Sequence, residues 1–256
     1  MRRLVAIAMT CAAMGIGISS GAYAATFKWA SQGDILTFDP HAQNEAFNNT
    51  ANSYVYEALV NLNKGKVTPS LAESWTSVPE GFVFKLRKGV KFHEGETLTA
   101  EDVAFSINRA LHPISQFKTF TAGILGAEAL PNGDVLIKTI NHSPVLLNQL
   151  AYLRILNKAW AEKHGATAPQ NFVAKEEAYA AKHANGTGPF KLQSREVDIK
   201  TVFVENPDWW NKANKVGNVT EGIYTPIKSA ATVLRCHRWK RACRSCSGSS
   251  LLAGSS

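Results

Sequence analysis

The length, composition and charge of the chain exclude several classes of protein. With 256 residues, 45% of them hydrophobic, it is long enough for one or two domains with a buried core. The formal net charge is +8, but Arg2, Arg3 and five basic residues from Arg235 to Arg244 account for all but one of these charges. Because a nucleic-acid-binding surface needs basic residues within the folded body, this distribution argues against a nucleic-acid partner.

The first 24 residues have the pattern of a Sec-type signal peptide. Arg2 and Arg3 form a charged start, residues 4–18 are apolar, and Ala22-Tyr23-Ala24 is an A-x-A cleavage site. A membrane anchor is the alternative, but a spanning helix needs about 20 apolar residues. A lipoprotein anchored at Cys11 is disfavoured by the residue before it and by the apolar run that continues past it. We therefore predict an exported soluble protein of the periplasm whose mature chain starts at Ala25.

A strand and a helix are predicted next. Residues 27–30 favour a strand, and residues 33–40 favour a loop because a residue before proline disfavours helix. Residues 49–59 predict a helix with Val55, Tyr56 and Leu59 on one side. Tyr56 and Glu57 are interpreted as packing residues.

Residues 71–111 form the most regular unit of the sequence. After a turn at Glu80-Gly81, residues 82–87 alternate apolar and polar side chains, which predicts a half-buried strand with Phe84 on its buried face. Residues 90–92 predict a second short strand.

A helix follows, and its start carries a recognisable signal. Thr99 and Asp102 have the spacing of a capping box, in which each side chain bonds the other residue's backbone N–H. Four apolar residues then share one helical face. They are Val103, Ile107, Ala110 and Leu111.

The remaining elements are shorter. Residues 124–140 predict a hairpin with its turn at residues 131–134. Helices are predicted from Pro144 over 145–150, over 159–164 with Gly165 as the stop, and over 173–182. Strands are predicted at 190–192 and 200–205, and Trp209-Trp210 is expected to pack locally after a turn at 206–208.

Motifs for catalysis or cofactors are weak or absent in this sequence. His93-Glu94-Gly95-Glu96 fits no zinc spacing and predicts a polar turn. The Gly-rich turn at 185–189 precedes a strand, whereas a phosphate loop precedes a helix. Neither G-x-S-x-G nor H-E-x-x-H occurs. We therefore expect no enzyme, no metal site and no cofactor.

The sequence changes character after Thr232. Three of its four cysteines, Cys236, Cys243 and Cys246, lie in a basic, Ser/Gly-rich end without acidic residues. A zinc-binding tail, a redox C-x-x-C motif and a basic arm for nucleic acid or membrane are possible interpretations. We favour a loss of the reading frame, and we expect residues 233–256 to be disordered because they have little apolar surface to offset ordering entropy.

Five segments in order resemble one protein family. Residues 71–111 contain L-A-E-S-W, F-x-F-x-L-R-x-G-V-K-F-H-x-G and L-T-A-E-D-V-x-F-S. The other four segments are Phe38-Asp39-Pro40, residues 55–60, residues 186–190 and residues 206–210. Together, over residues 26–232, they resemble the family 5 solute-binding proteins, which are periplasmic dipeptide- and oligopeptide-binding receptors of ABC importers.

The resemblance implies a fold. It implies an α/β chain like the N-terminal lobe of a type II periplasmic binding protein, without the second lobe. This lobe, residues 25–232, would consist of a mixed sheet with flanking helices and an inserted, small β-rich subdomain at about residues 51–170.

The resemblance also implies a function. It implies capture of a small peptide or similar solute for uptake through the permease subunits of an ABC importer, by a monomer if full length. Since both lobes share ligand closure, we expect binding to be impaired here. The alternatives are an exported interaction protein without a transport role, or a small zinc-binding module in the tail.

Two segments match the family's ligand cleft. The matching residues are Asn44, Glu45, Ala46 and Phe47, together with Gly186, Thr187 and Gly188. An equally good interpretation of the first four is a solvated helix start capped by an Asn. The two glycines are expected to permit positive φ and close backbone approach.

Overall fold

Ten short strands and five α-helices make up the regular structure of residues 24–141 and 145–227, the part of the chain that this computed structural model describes. The strands are β1 (Ala25–Gln32), β2 (Val60–Asn63), β3 (Lys66–Pro69), β4 (Ala72–Val78), β5 (Gly81–Leu86), β6 (Ile124–Ala129), β7 (Val135–Thr139), β8 (Phe190–Glu196), β9 (Lys200–Glu205) and β10 (Val219–Ile227). The α-helices are α1 (Ala46–Val55), α2 (Ala100–Leu111), α3 (Lys118–Thr121), α4 (Val145–Leu150) and α5 (Lys158–Lys163). Single 3₁₀ turns cover Tyr179–Ala181 and Lys212–Asn214. Over these described ranges, no helix is long and apolar enough to cross a membrane.

One four-stranded sheet joins the two ends of the described chain. Its order is β1-β10-β9-β8, with β1 and β10 parallel and the other pairs antiparallel. Trp29 of β1 stacks on Phe203 of β9 with the ring centroids 6.0 Å apart. The sheet is therefore mixed, as expected from the resemblance.

A second four-stranded sheet forms from the middle of the chain. Its order is β4-β5-β7-β6, and every pair is antiparallel. The predicted alternation in β5 is confirmed, because Phe82, Phe84 and Leu86 are buried whereas Lys85 is exposed. The predicted hairpin is also confirmed, since β6 and β7 are joined by a turn at residues 131–134.

The capping box of α2 is confirmed in both directions. Thr99 Oγ1 accepts a hydrogen bond from the Asp102 N–H at 3.3 Å, and the Asp102 carboxylate accepts one from the Thr99 N–H at 2.9 Å. Val103, Ile107 and Ala110 are buried on the face that this start orients. The helix packs with this face against β6 and β7.

Buried apolar side chains form two clusters. One lies between the second sheet and α2 and includes Phe84 and Ile107. The other surrounds α1 and the first sheet and includes Val55, Phe203 and Tyr224. Two clusters are compatible with an inserted subdomain, but its boundaries at about residues 51–170 stay a prediction.

The predicted helix over residues 49–59 is displaced. The helix begins at Ala46 and ends at Val55. The residues after Val55 instead bond to the segment between α4 and α5. The Glu57 carbonyl accepts from Ile155 N–H at 2.9 Å, and Ala58 forms an isolated β-bridge with Arg154. These tertiary contacts override the apolar pattern that suggested a longer helix.

Two other predicted elements are wrong. Residues 173–182 contain only the 3₁₀ turn Tyr179–Ala181, because Lys175 has a φ of 56° and the Glu176 carboxylate accepts from Asn171 N–H. Residues 90–92 form no strand beyond a single bridge from Lys91 to Thr97, which closes a tight loop.

Some predictions concern residues outside the described ranges, and two further helix predictions lie within them. The signal peptide, Pro144 and the tail at 233–256 lie outside the described residues, apart from Ala24 at the end of the predicted signal. The helices predicted at 145–150 and 159–164 are confirmed within one residue, and Gly165 stops the latter with a φ of 66°.

Candidate functional site

The first predicted site segment lies at the N-terminus of α1. Asn44, Glu45 and Ala46 are exposed there, and the half-buried Phe47 packs against Tyr224 with the ring centroids 5.2 Å apart. The N-cap is Glu45, whose side chain makes no capping hydrogen bond. The expected Asn cap is therefore absent, and Asn44 instead accepts a hydrogen bond from Asn49 Nδ2 at 2.8 Å.

The second predicted segment lies at the other end of the same helix. Gly186, Thr187 and Gly188 are buried, and Gly188 N–H donates to the Val55 carbonyl at 2.9 Å. A ten-residue helix is about 15 Å long, so the two segments do not meet in one site. The glycine turn contacts protein rather than an open cavity.

Close backbone approach explains the two glycines. A Cβ at Gly186 would lie 2.1 Å from the Val55 carbonyl oxygen, and one at Gly188 would lie 2.7 Å from the Tyr54 carbonyl oxygen. Neither glycine has a positive φ, so that part of the expectation is wrong. Steric room, not backbone conformation, requires glycine here.

Substituting Gly186 by alanine should therefore destabilise the fold. We expect a loss of about 1–3 kcal/mol, because the backbone of α1 must move to admit the methyl group. The measurement is the urea midpoint of unfolding. Gly222→Ala is the control, since its Cβ would lie 3.1 Å from the Trp29 ring, which can shift, and in ordinary contact with Phe203 Cβ at 3.7 Å. Equal losses for the two variants would contradict the steric explanation.

The polar turn that begins at His93 supports the glycine turn. Gly186 N–H donates to His93 Nδ1 at 3.4 Å, and His93 Nε2 donates to the Gly188 carbonyl at 3.1 Å. These partners fix the neutral imidazole, and burial lowers the pKa of His93 to about 4. No group of metal-ligating side chains occurs among residues 24–141 and 145–227.

Acid should weaken the contact between His93 and the glycine turn. The unfolded histidine has a pKa near 6.5, so below that value the unfolded state binds more protons and stability falls as the pH falls. Between about pH 7 and pH 5 His93 should account for a loss of roughly 2 kcal/mol. Urea midpoints of His93→Gln at the two pH values should show a smaller acid-induced loss than the wild type. An acid-induced loss in the variant as large as that in the wild type would contradict this assignment, whatever the stability of the variant at pH 7.

Glu57 connects the glycine turn to the tryptophan pair. Its carboxylate accepts hydrogen bonds from Thr187 Oγ1 at 2.9 Å, Trp209 Nε1 at 3.1 Å and Trp210 Nε1 at 2.9 Å. Burial raises the pKa of Glu57, and these hydrogen bonds oppose the rise. The tryptophans pack on each other as expected, with the ring centroids 6.2 Å apart. Their polar atoms also bind a residue about 150 positions earlier, which was not expected.

A cavity of about 450 Å³ opens beside the N-terminal half of α1. On the helix side it is lined by Asn44, Ala46, Asn49, Thr50 and Ser53. The opposite side is lined by Phe120, Tyr152 and Arg154. The structure therefore places two of the predicted site residues, Asn44 and Ala46, in one cavity with an aromatic pair and a cation.

Arg154 is the charged residue of this cavity, and the sequence analysis missed it together with Asn49, Thr50, Ser53, Phe120 and Tyr152. Among the described residues, its guanidinium makes no hydrogen bond or ion pair, although Glu57 is near enough to influence its charge. Burial lowers the pKa of Arg154 to about 10, and the Glu57 carboxylate opposes this. A single charge between Leu153 and Ile155, both buried, was the signal that could have revealed it.

A buried network positions the backbone of Arg154. Arg109 donates to both carboxylate oxygens of Asp39, at 2.8 and 2.7 Å, and both side chains are at most 1% exposed. Arg109 also donates to His41 Nδ1 at 3.1 Å, so His41 Nε2 donates to the Arg154 carbonyl at 3.1 Å. Burial and the Arg109 charge lower the pKa of His41 to about 3. The network therefore holds one neutral histidine tautomer behind the cavity.

Comparison with curated proteins gives relatives that are named as binding proteins for small solutes. The nickel-binding periplasmic protein of Escherichia coli (strain K12) is 29% identical over 197 residues, which cover 74% of this chain and 36% of that protein. The di/tripeptide-binding protein 3 of Pseudomonas aeruginosa is 28% identical, in an alignment that covers 92% of this chain and 48% of that protein. The chain thus spans less than half the length of these relatives.

Solved structures agree on the fold. The periplasmic binding protein DppA of Helicobacter pylori, in complex with the peptide STSA, superposes with a TM-score of 0.70 at 23% identity. OppA of Burkholderia pseudomallei superposes with a TM-score of 0.71 at 20% identity. The matches cover 86% and 85% of this chain but 46% and 45% of those proteins. The predicted fold, a part of a type II periplasmic binding protein, is confirmed.

The profile of the bacterial extracellular solute-binding proteins, family 5 Middle, matches residues 66–236, which is more than half of the chain. This profile names binding proteins and no enzyme, in agreement with the lack of catalytic motifs. The chain therefore belongs to the bacterial extracellular solute-binding proteins of family 5.

Proposed function

We propose that the chain captures a small solute, such as a peptide, outside the cytoplasm and serves an ABC importer. The observation that carries this proposal is the cavity beside α1, where Asn44 and Ala46 adjoin Arg154. Relatives named for nickel, dipeptides or haem support solute capture as the common activity. The permease subunits of the importer are the proposed macromolecular partners.

The cavity has the composition of a solute site. Amide and hydroxyl groups of Asn49, Thr50 and Ser53 line one wall, and aromatic rings line the other. Such a mixture of a few oriented polar groups with apolar surface is typical of small-molecule sites. Because Asn44 and Ala46 at its rim are exposed, a solute bound to this stretch alone would keep contact with water. We therefore expect weak binding by this chain.

Export is part of the same proposal. The chain would be delivered to the periplasm by the segment ahead of Ala25 and present the cavity to solutes in that compartment, as a monomer if full length. N-terminal sequencing of periplasmic material should start at Ala25, and a start at Met1 would contradict export with cleavage.

Thermal unfolding in a dipeptide library tests the function. A ligand that binds only the native state raises the melting temperature, with a stabilisation of about 2.7 kcal/mol at 100 times its Kd. We expect a rise for the wild type and none for Thr50→Trp, whose exposed side chain would fill the cavity. Thr76→Trp, on an exposed position of β4, is the control and should keep the rise. No rise for the wild type would overturn the function, and a rise retained by Thr50→Trp would overturn the location.

A further inference from the structure

We propose that the outer edge of β1, together with the aromatic cleft beside it, is a docking surface for a second copy of this chain. The aromatic cleft is the surface lined by Phe27, Trp29, Tyr54 and Phe203, with a volume of about 520 Å³. Two β1 strands would pair antiparallel about a twofold axis and join two four-stranded sheets into one. The dimer would form from the chain of 256 residues, whereas the monomer proposed above refers to a full-length protein.

The outer edge of β1 is free among the described residues. β1 is the terminal strand of the first sheet and pairs only with β10. A strand at a sheet edge presents unpaired N–H and C=O groups on its outer side, and these can pair with a strand of another chain. β1 contains no proline, so each residue on its outer side keeps its N–H donor. The strand can therefore accept a partner along its whole length.

The two edges of the first sheet differ in charge. β8, at the opposite edge, carries Lys191, Arg195 and Glu196 among its seven residues. β1 carries one charged residue among eight, Lys28. Charged side chains are a common protection of sheet edges against pairing with other chains. By this criterion β1 is the edge of the sheet that is open to a partner strand.

Apolar surface adjoins the edge of β1. Phe27 is 56% exposed, and Val216, which also lines the aromatic cleft, is 97% exposed. Phe27 stacks on Trp29 with the ring centroids 5.5 Å apart, so the two rings lie on the same face of β1. Contiguous exposed apolar patches mark interaction surfaces, and aromatic residues are enriched in the cores of protein interfaces. A second copy paired at β1 would cover these rings.

The charge of this surface suits a copy of itself. Lys215 is the one charged side chain that lines the aromatic cleft among the described residues. It pairs with Glu205 at 2.8 Å and donates to the Val219 carbonyl at 2.7 Å, so its charge is already compensated. In a twofold interface each patch meets the same patch of the other copy. A nearly neutral patch avoids the repulsion that a basic or an acidic patch would meet there.

Lys28 determines the register of the proposed pair. In an antiparallel pair, residues directly opposite each other lie on the same face of the sheet. A twofold axis at Lys28 would place two like charges opposite each other, which is destabilising. An axis at Trp29 places Lys28 opposite Ala30 of the second copy and pairs residues 26–32. Phe27 then lies diagonal to the second Trp29, within reach of an aromatic contact.

Sedimentation velocity of the 256-residue chain in a reducing buffer tests the proposal, because reduction excludes disulfide-linked oligomers. We expect a reversible monomer–dimer equilibrium with a Kd of about 1–100 µM, as for a small interface. Hydrogen exchange at protein concentrations below and above the Kd should slow at residues 25–32 in the dimer. These measurements need no variant, so they decide the question even where a substitution impairs folding. A chain that stays monomeric up to about 1 mM would overturn the proposal.

Matched substitutions locate the interface. Phe27→Asp places a charge on the exposed apolar patch and should weaken the dimer at least about 10-fold. Leu125→Asp is the control, since Leu125 is 63% exposed on β6 of the other sheet and should leave the Kd of the dimer unchanged. Thermal unfolding of both variants in dilute solution shows whether each of them is folded.

The other outcomes each contradict the proposed surface. A dimer with the same Kd in wild type and folded Phe27→Asp, or slower exchange outside β1 and the aromatic cleft, would place the interface elsewhere. Dissociation of the dimer by the dipeptide library, with β1 still protected, would assign this edge to a peptide strand. None of these outcomes affects the proposed solute capture, since the cavity beside α1 shares no lining residue with the aromatic cleft.

Discussion

Replacing Asp39 by asparagine is expected to destabilise the fold by about 3–5 kcal/mol, because it leaves the buried Arg109 guanidinium without its counter-charge. Both side chains of this pair are at most 1% exposed. The same pair orders His41, which in turn bonds the backbone of Arg154. The urea midpoint should therefore fall strongly, and hydrogen exchange at residues 152–156 should increase with it.

Surface ion pairs provide the control for Asp39. Glu101→Gln breaks the pair of Glu101 with Lys158, whose side chains are 69% and 39% exposed, and should cost far less than the loss of the buried pair. Adding Arg109→Met to Asp39→Asn should recover part of the loss, because the unpaired charge is then removed. A loss for Asp39→Asn no larger than that for Glu101→Gln would contradict the structural role of the buried pair.

The second large effect is expected at Phe84. Phe84→Ala should cost about 3–5 kcal/mol, since it removes a fully buried ring from the cluster between the second sheet and α2. The ring lies 6.2 Å from that of Trp75 on the neighbouring strand, so the substitution also removes an aromatic contact. The free energy of unfolding from urea titration measures this loss.

The neighbouring position on the same strand is the control for Phe84. Lys85 is exposed on the opposite face of β5, and Lys85→Ala should change stability by less than about 0.5 kcal/mol. An unchanged midpoint for Phe84→Ala would show that the buried face of β5 does not support the core.

Sequence patterns predicted those elements whose signals are local. The alternation around Phe84 and the capping box of Thr99 and Asp102 depend on residues two or three positions apart, and both are present in the structure. The motifs from residues 38 to 210 likewise indicated the family that the profile match supports. Local periodicity and the family resemblance thus predicted most of the fold.

Long-range partners explain some of the features that local patterns did not predict. The C-terminal end of α1 is set by Gly188, which bonds Val55 from more than 130 positions away. Trp209 and Trp210 point their polar atoms at Glu57, which no local pattern could indicate. In each case a tertiary hydrogen bond decides a feature that the apolar pattern leaves undetermined.

The candidate site was predictable only in part. The resemblance pointed to Asn44 and Ala46, and the structure places both in the cavity beside α1. Gly186 to Gly188 instead lie buried at the far end of the helix, where they allow the chain to pass close to α1. Arg154 could not be predicted, because its free guanidinium is a feature of the tertiary structure.

Hydrogen–deuterium exchange with and without the dipeptide library tests the central claim most directly. If solutes bind in the cavity beside α1, the amides of residues 44–53 and 149–154 should exchange more slowly with the library present. The aromatic cleft around Trp29, Tyr54 and Phe203, with a volume of about 520 Å³, is the internal comparison. Protection confined to residues 25–32 and 219–224 at that cleft, or no protection anywhere, would contradict the proposed site.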